Sequence, residues 1–134
     1  MPGAELSDAL VDALEETSRR RLSVLAADGM LPLPADHLLA LQVHLAGSDE
    51  LLIAERARAS LRQAALRVVV GFLEGAAGPD ELRFFGRLRT EGPILEAILR
   101  RRDVPRDLLV ELAPRLSAPL QEVLILRQDA IVEE

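Results

Sequence analysis

Two stretches of the sequence decide the fold: PILEAILRRRD (residues 93–103) and PLQEVLILRQD (residues 119–129). Laid over one another at an offset of 26 residues, they share Pro93 with Pro119, Glu96 with Glu122, Arg101 with Arg127 and Asp103 with Asp129. The same offset relates PDELRFFGRL, from residue 79, to PRDLLVELAPRL, from residue 105. A period between about 20 and 50 residues is typical of proteins built from stacked repeats. The sequence therefore predicts a repeating two-helix unit.

Prolines punctuate this region at regular intervals. Pro79, Pro93, Pro105 and Pro119 are each followed by a segment rich in leucine or isoleucine. Proline is well tolerated at the first position of a helix, because the amide hydrogen that it lacks would have no partner there. The spacing predicts short helices of about 2.5 turns, separated by tight turns.

The N-terminal residues 5–27 have the periodicity of a longer amphipathic helix. Its apolar side chains recur along one broad stripe, which consists of Leu6, Leu10, Ala13, Leu14, Leu22 and Leu25. Gly29 can adopt the left-handed conformation that ends many helices, and Pro32 and Pro34 prevent this helix from continuing. A second helix is predicted over residues 35–46, so that the chain begins with a helical pair.

Two further helices are predicted between residues 48 and 74. Ser48 or Asp49 can cap the first, which extends to about Leu61, and we expect a break near Arg62. Residues 68–70 are three valines, which favour a strand locally, but no partner strand is visible in the sequence and a helix is predicted there as well. EGAAGPD, residues 74–80, is the clearest linker.

These elements predict an all-α protein, a short-helix HEAT-like helical repeat (an α-solenoid) with an N-terminal helical pair. Only three residues are aromatic, Phe72, Phe84 and Phe85, so the core must consist of leucine, alanine, valine and isoleucine. A chain of 134 residues suits one domain. We expect residues 1–47, the N-terminal helical segment, to pack as a single domain with the repeat region, residues 48–134, because stacking buries the apolar side of each helix pair.

The period and the proline punctuation of residues 49–129 resemble α-helical repeats of the HEAT-like kind. The short period is similar to the bacterial leucine-rich-repeat-variant type and to an uncharacterised family of bacterial helical-repeat domains. That variant type is associated with an iron-sulfur segment held by cysteines, and since this chain has no cysteine, no redox role is implied. The second copy stops at DAIVEE, which predicts a fragment of a longer array or an apolar end covered by a partner or a second copy.

Charge and composition narrow the possible functions. The net charge of -6 lies within residues 1–50, and the remainder of the chain is balanced, so neither half attracts nucleic acid strongly. The absence of cysteine excludes disulfides and thiolate metal sites. The sequence shows neither the pattern of a signal peptide nor an apolar run of membrane-spanning length. We therefore expect a cytoplasmic protein with no membrane association.

Residue patterns for catalysis or metal binding are weak. His37 and His44 lie seven residues apart on one predicted helix, whereas a zinc site needs three or four ligands. Asp80 and Glu81 begin a predicted helix, where acids stabilise the N-terminus and one of them can cap it. Without lysine, neither a phosphate-loop lysine nor a Schiff-base lysine is possible. The prediction is a protein that is not an enzyme, with no catalytic, cofactor-binding or metal-binding residue.

Arginines are the remaining candidates for a ligand surface. Arg83 and Arg87 share a helix face, and stacking could bring them together with Arg101 and Arg127 as a possible interaction surface. Neighbouring acids and the lack of tryptophan and tyrosine disfavour nucleic acid, which is the alternative hypothesis. The leading hypothesis is a non-catalytic scaffold module that binds another protein or binds itself as a homodimer. The recurrence of Arg101 and Asp103 predicts a turn-stabilising or inter-repeat contact.

Overall fold

The computed structural model describes the backbone of residues 2–133 and the side chains of residues 8–126. Over residues 2–133 the chain forms eight α-helices and no strand, which confirms the all-α class. The helices are α1 (Pro2–Ala27), α2 (Ala35–Ala46), α3 (Leu51–Gln63), α4 (Leu66–Glu74), α5 (Pro79–Leu88), α6 (Gly92–Leu99), α7 (Arg106–Leu112) and α8 (Ala118–Glu133). Within these residues, none of the helices combines the length and hydropathy that crossing a bilayer requires.

Most of the predicted helix boundaries are confirmed. Gly29 follows α1 with φ of 75°, the left-handed conformation expected of it. The second helix has the predicted bounds, the break after α3 falls one residue beyond Arg62, and residues 68–70 are helical within α4. Pro79 begins α5, and Pro93 and Pro119 are the second residues of α6 and α8. Pro105 instead immediately precedes α7.

The predicted N-terminal caps are wrong in detail. Glu50, not Ser48 or Asp49, precedes α3, and its side chain makes no capping hydrogen bond. The Ser48 hydroxyl instead accepts a hydrogen bond from the Glu50 amide at 3.1 Å, within the turn. Helix α5 has no side-chain cap either, since Gly78 precedes it, although Asp80 and Glu81 do lie in its first turn. Acids there still interact favourably with the helix dipole.

Most helices pack against the next helix but one along the chain. Helices α2, α4, α6 and α8 form one row of successive contacts, and α1 contacts α3 as α5 contacts α7. The core between them contains the buried rings of Phe72 and Phe85, whose centroids lie 6.1 Å apart in an edge-to-face arrangement. Leucine, isoleucine, valine and alanine fill the rest of the core, as the composition predicts.

Gly86 lies on the buried side of α5, where α6 and α7 approach closely. A Cβ atom at this position would lie 3.2 Å from Leu108 Cδ1 and 3.6 Å from the Cδ1 atoms of Ile98 and Leu112. The Cβ atom alone would therefore press on Leu108, and the further methyl groups of a larger side chain would meet Ile98 and Leu112, which are already at contact distance. Gly71, on α4, is the opposite case, because a Cβ atom there would have no neighbour within 4 Å.

We expect Gly86→Val to lower the free energy of unfolding by about 2 kcal/mol, since added methyl groups overpack a filled core. The same substitution at Gly71 should change it by less than about 0.5 kcal/mol, because only the small difference in helix propensity remains. Urea denaturation of the two variants measures both values. Equal losses at the two positions would contradict the close packing of α5 around Gly86.

Candidate interaction surface

Arg83 joins α5 to α7 through a two-pronged ion pair. Its Nε and Nη2 atoms donate hydrogen bonds to the two carboxylate oxygens of Asp107, each at 3.2 Å. A further contact of 3.3 Å joins Arg83 to Asp80, one turn earlier on α5. The hydrogen bond from Arg83 lowers the pKa of Asp107, and the same bond raises the pKa of Arg83. Both charges are therefore compensated within the protein.

Arg87 repeats this contact one turn further along both helices. Its Nε atom donates to the two oxygens of Glu111 at 3.3 and 3.0 Å. Arg83 and Arg87 are four residues apart on α5, as Asp107 and Glu111 are on α7, so the two pairs form a ladder between the helices. The face predicted for these arginines exists, but acidic side chains of α7 occupy it.

Arg101 follows α6 and lies against the end of α4. Its guanidinium donates to the carbonyl oxygens of Leu73 and Ala77, each at 2.7 Å, and to both carboxylate oxygens of Asp103 at 2.9 and 2.8 Å. Only 15% of its side-chain surface is exposed. The predicted turn-stabilising contact of Arg101 and Asp103 is therefore confirmed, and it also joins two helices of the same row.

The correspondence between residues 101–103 and residues 127–129 does not extend to the backbone. Arg101 and Asp103 follow the end of α6, whereas α8 continues through Arg127 and Asp129 to Glu133. The side chain of Arg127 lies outside the described residues. Of the four predicted arginines, Arg83 and Arg87 pair with α7 while Arg101 contacts α4. These contacts place them on different helix pairs.

Arg89 makes the same kind of contact as Arg101 and is absent from the set predicted by sequence. It lies just after α5, with 9% of its side chain exposed. Its Nη1 atom donates to the carbonyl oxygens of Leu61 at 3.2 Å and Ala64 at 2.6 Å, at the end of α3. Its Nε and Nη2 atoms donate to the Glu91 carboxylate at 2.9 and 2.7 Å. Arg89 thus supplies donors to carbonyls that the end of a helix leaves unpaired.

A short pattern in the sequence could have revealed this pair of contacts. Both arginines stand in the pattern Arg-x-acid-x-Pro, as RTEGP over residues 89–93 and RRDVP over residues 101–105. The offset is 12 residues, and the accepting residues Leu61 and Leu73 are also 12 apart. Twelve residues is the length of one helix with its turn. An alignment of the sequence with itself at an offset of 26 residues compares pairs of helices and therefore does not detect this pattern.

The end of α1 is closed by side chains of the two helices that follow. The Gln42 side chain, buried on α2, donates to the carbonyl oxygens of Ala26 at 3.0 Å and Ala27 at 3.4 Å. The hydroxyl of Ser60, on α3, donates to Ala27 as well. An ion pair of 2.9 Å joins Arg56 to Asp28. These contacts fix the direction in which α1 leaves the body formed by the other helices.

Most of α1 extends away from that body. Every residue from 8 to 22 is exposed, and close packing begins only at Val24 and the buried Ala26 and Ala27. The stripe predicted on this helix therefore faces solvent at Leu10, Ala13, Leu14, Leu22 and Leu25, while the side chain of Leu6 lies outside the described residues. Val11 adds to the same face. The large side chains of this apolar stripe have exposed fractions of 64% for Leu10, 50% for Val11, 67% for Leu14, 54% for Leu22 and 40% for Leu25. The periodicity identifies such a stripe but does not show which residues cover it.

Histidine residues and acidic groups do not assemble into a metal site in the described part of the chain. His37 and His44 are both exposed on α2. Among the side chains of residues 8–126, no three His, Cys, Asp or Glu residues lie close enough together to hold a metal ion. The ion-paired arginines of α5 and the apolar stripe of α1 are therefore candidate interaction surfaces within residues 8–126.

Comparison of the chain with protein-family models, with curated proteins and with solved structures finds no match.

Glu91 provides a pH-dependent contribution to stability. The hydrogen bond from Arg89 lowers the pKa of Glu91 below its ordinary value of about 4.3. The unfolded chain therefore binds a proton more readily than the folded chain, and stability is lost as the pH falls through this range. Asp107 acts in the same direction. We expect Glu91→Gln to be less stable than the wild type at pH 7 and to show a shallower loss between about pH 5 and 3.

Urea midpoints measured across this pH range test the expectation. Glu55→Gln, at an exposed position of α3, is the matched control and should follow the wild-type slope. A slope in Glu91→Gln as steep as that of the wild type would show that this carboxylate does not carry the effect.

Proposed function

We propose that this chain is a non-catalytic protein–protein interaction module, built as a HEAT-like array of short helices. The observation that carries the proposal is the apolar stripe on α1, which remains uncovered although the body has a filled core of its own. Contiguous apolar surface on a soluble protein marks sites of interaction, whereas single exposed side chains do not. The five exposed side chains between Leu10 and Leu25 lie on one helix face, as a contiguous surface requires.

The HEAT-like part of the proposal is supported by packing between helices two apart. Helices α4 and α6 lie side by side in the row from α2 to α8, and Arg101 joins their ends. Arg89 joins the end of α3 to the end of α5 in the same manner. A contact that recurs with the spacing of one helix is what stacking of similar units produces.

Burial of the stripe supplies the driving force for binding. Complete burial of a valine or leucine side chain contributes about 1.5 to 3 kcal/mol. The side chains of the stripe are 40 to 67% exposed, so each can gain a part of this on binding. A helix laid against the stripe would cover several of them together. The acidic and basic residues of α1 border the stripe and can select the partner by charge.

Light scattering and affinity purification test the proposed function. The double variant Leu14→Asp/Leu22→Asp removes the stripe without altering the buried core, since both positions are exposed. We expect the wild type to self-associate or to retain a protein from lysate that the double variant loses. A wild-type chain that is monomeric and retains no more protein than the double variant would overturn the proposed function.

The alternative nucleic-acid hypothesis assigns phosphate binding to Arg83, Arg87, Arg101 and Arg127. The first three of these already donate to carboxylates, which phosphate groups would have to displace. We therefore expect no binding of labelled single-stranded or double-stranded oligonucleotides at about 50 mM salt, where phosphate contacts are strong. Fluorescence anisotropy measures this directly. Binding that weakens steeply with added salt, and is lost in Arg83→Gln/Arg87→Gln, would instead support the alternative.

A further inference from the structure

We propose that α1 pairs antiparallel with α1 of a second copy of this chain, so that the protein is a homodimer joined through its first helices. This inference rests on the proposed function and names the partner of the exposed stripe. It follows from the spacing of the apolar residues, from the order of the charges along the helix and from the way in which α1 projects from the body.

A seam within the apolar stripe has the same spacing in both chain directions. It consists of Val11, Leu14, Ser18, Leu22 and Leu25, at intervals of three, four, four and three residues, and Leu10 lies at its edge. With about 100° of rotation per residue the seam residues occupy an arc of about 80°, which is the narrow seam of a paired helix. A two-fold axis through Ser18 maps this seam onto itself. Such an axis is what a symmetric homodimer requires.

This register brings apolar side chains together across the axis. Leu14 lies opposite Leu22 of the partner subunit, and Val11 lies opposite Leu25 of the partner subunit. The small Ser18 stands at the centre, where two helices must approach most closely. Each apolar side chain of the seam is 40 to 67% exposed in the single chain, so all four can gain burial on pairing.

The charges along α1 favour the antiparallel direction over the parallel one. Five acidic residues precede Thr17, and three consecutive arginines follow it at positions 19 to 21. Parallel pairing would place the acidic halves side by side and the basic halves side by side. Antiparallel pairing about Ser18 places Glu15 and Glu16 opposite the partner subunit's Arg21 and the partner subunit's Arg20, and it also opposes the two helix dipoles favourably.

Glu15 and Arg19 are the pair that tests this arrangement most directly. Both lie beside Val11, Leu14, Ser18 and Leu22 on the surface of α1. With about 100° of rotation per residue, both fall on the same flank of the seam. Glu15 is three residues before the axis and Arg19 is one residue after it, so rotation about the axis brings Glu15 to within about 3 Å, measured along the helix, of the partner subunit's Arg19. Each dimer would contain this ion pair twice.

Most of the paired segment lies outside the body. Close packing of α1 begins at Val24, and residues 8–22 are exposed, with an ion pair of 3.2 Å from Arg20 to Glu50, just before α3. In the proposed register the two Ala26 residues lie about 24 Å apart along the helix axis, so the two bodies stand at opposite ends of the pair. Four large apolar side chains from each chain form a small interface, for which we expect a dissociation constant in the micromolar range.

The experiment uses the full chain in sedimentation equilibrium across its micromolar concentration range. We expect a monomer–dimer equilibrium for the wild type. Glu15→Arg or Arg19→Glu alone should raise the dissociation constant about tenfold, because each change places two like charges together at both symmetry-related copies of this ion pair. The exchanged variant Glu15→Arg/Arg19→Glu should restore it to within about threefold. Leu14→Asp/Leu22→Asp should abolish the dimer. Ala9→Asp, on the opposite side of α1, is its control and should leave the equilibrium unchanged.

The direction of pairing is tested by disulfide formation, which is simple in a chain that has no native cysteine. Ser18→Cys lies on the axis and should link two chains under mild oxidation. Val11→Cys should not, because the two thiols would be about 21 Å apart along the helix axis. Linking of both variants would indicate parallel pairing and overturn the proposal, and so would linking of neither.

The failure of this inference is distinguishable from the failure of the proposed function. A wild type that is monomeric at every concentration excludes self-pairing. If that monomer still retains another protein in a manner that depends on Leu14 and Leu22, the interaction module remains and only the identity of its partner is wrong. If it retains none, both proposals fail.

Discussion

Arg89→Met is expected to lower the free energy of unfolding by about 3 kcal/mol. Methionine preserves much of the length and apolar volume of arginine, so the loss isolates the guanidinium. Without it, the carbonyl oxygens of Leu61 and Ala64 lose their donor at the end of α3, in a place that water reaches poorly. Glu91 loses both of its hydrogen bonds from Arg89 as well. A buried acceptor left without its donor costs about 1 to 3 kcal/mol. The ion pair adds at most about 1 kcal/mol, because 43% of the Glu91 side chain is exposed to solvent.

Arg100→Met is the matched control for this variant. Arg100 pairs with Glu96 one turn earlier on α6, and 66% of its side chain is exposed. An exposed pair of this kind contributes about 0.3 to 0.5 kcal/mol, so we expect a loss no larger than that. Chemical denaturation of both variants gives the comparison. Similar small losses at Arg89 and Arg100 would show that Arg89 does not hold α3 and α5 together.

The contrast between Arg89 and Arg100 shows which features of this protein can be predicted from the sequence and which cannot. Helices, their breaks and their order follow from periodicity, proline and glycine, and these local signals are strong in this chain. The arginines are harder, because Arg89, Arg100 and Arg101 look alike in sequence. Their roles differ since one faces solvent and two face the open end of a preceding helix, and that difference arises only when distant helices pack.

The apolar stripe of α1 is a second feature that the sequence predicts only in part. Its periodicity predicts an amphipathic helix, and α1 is one. Whether the apolar side chains of Leu10 and Leu14 face a core depends on the length of α1 relative to α2 and α3, which contact its C-terminal part. A helix of 26 residues is longer than either neighbour, which have 12 and 13. The excess length leaves the stripe uncovered and creates the candidate site.

Phe85→Ala is expected to have the largest effect on stability, a loss of about 4 kcal/mol. The ring is fully buried on α5 and meets Phe72, on α4, edge to face. A second edge-to-face contact, with centroids 5.9 Å apart, joins it to Phe84. Removing a buried phenylalanine side chain costs about 3 to 5 kcal/mol, because the transfer free energy is lost and a cavity remains. The chain has only three aromatic residues, so no neighbouring ring beyond these two can refill the space.

Phe84→Ala, one residue earlier, separates burial from the loss of an aromatic contact. The Phe84 ring makes only the contact with Phe85 and is only partly buried. We therefore expect Phe84→Ala to lower the free energy of unfolding by about 2 kcal/mol. Thermal and urea unfolding measure both variants, and light scattering at a fixed concentration shows whether α1 still self-associates. A stability loss in Phe84→Ala equal to that in Phe85→Ala would mean that the contact between Phe84 and Phe85, which both variants remove, rather than the filled core between α4 and α5, determines the stability of this region.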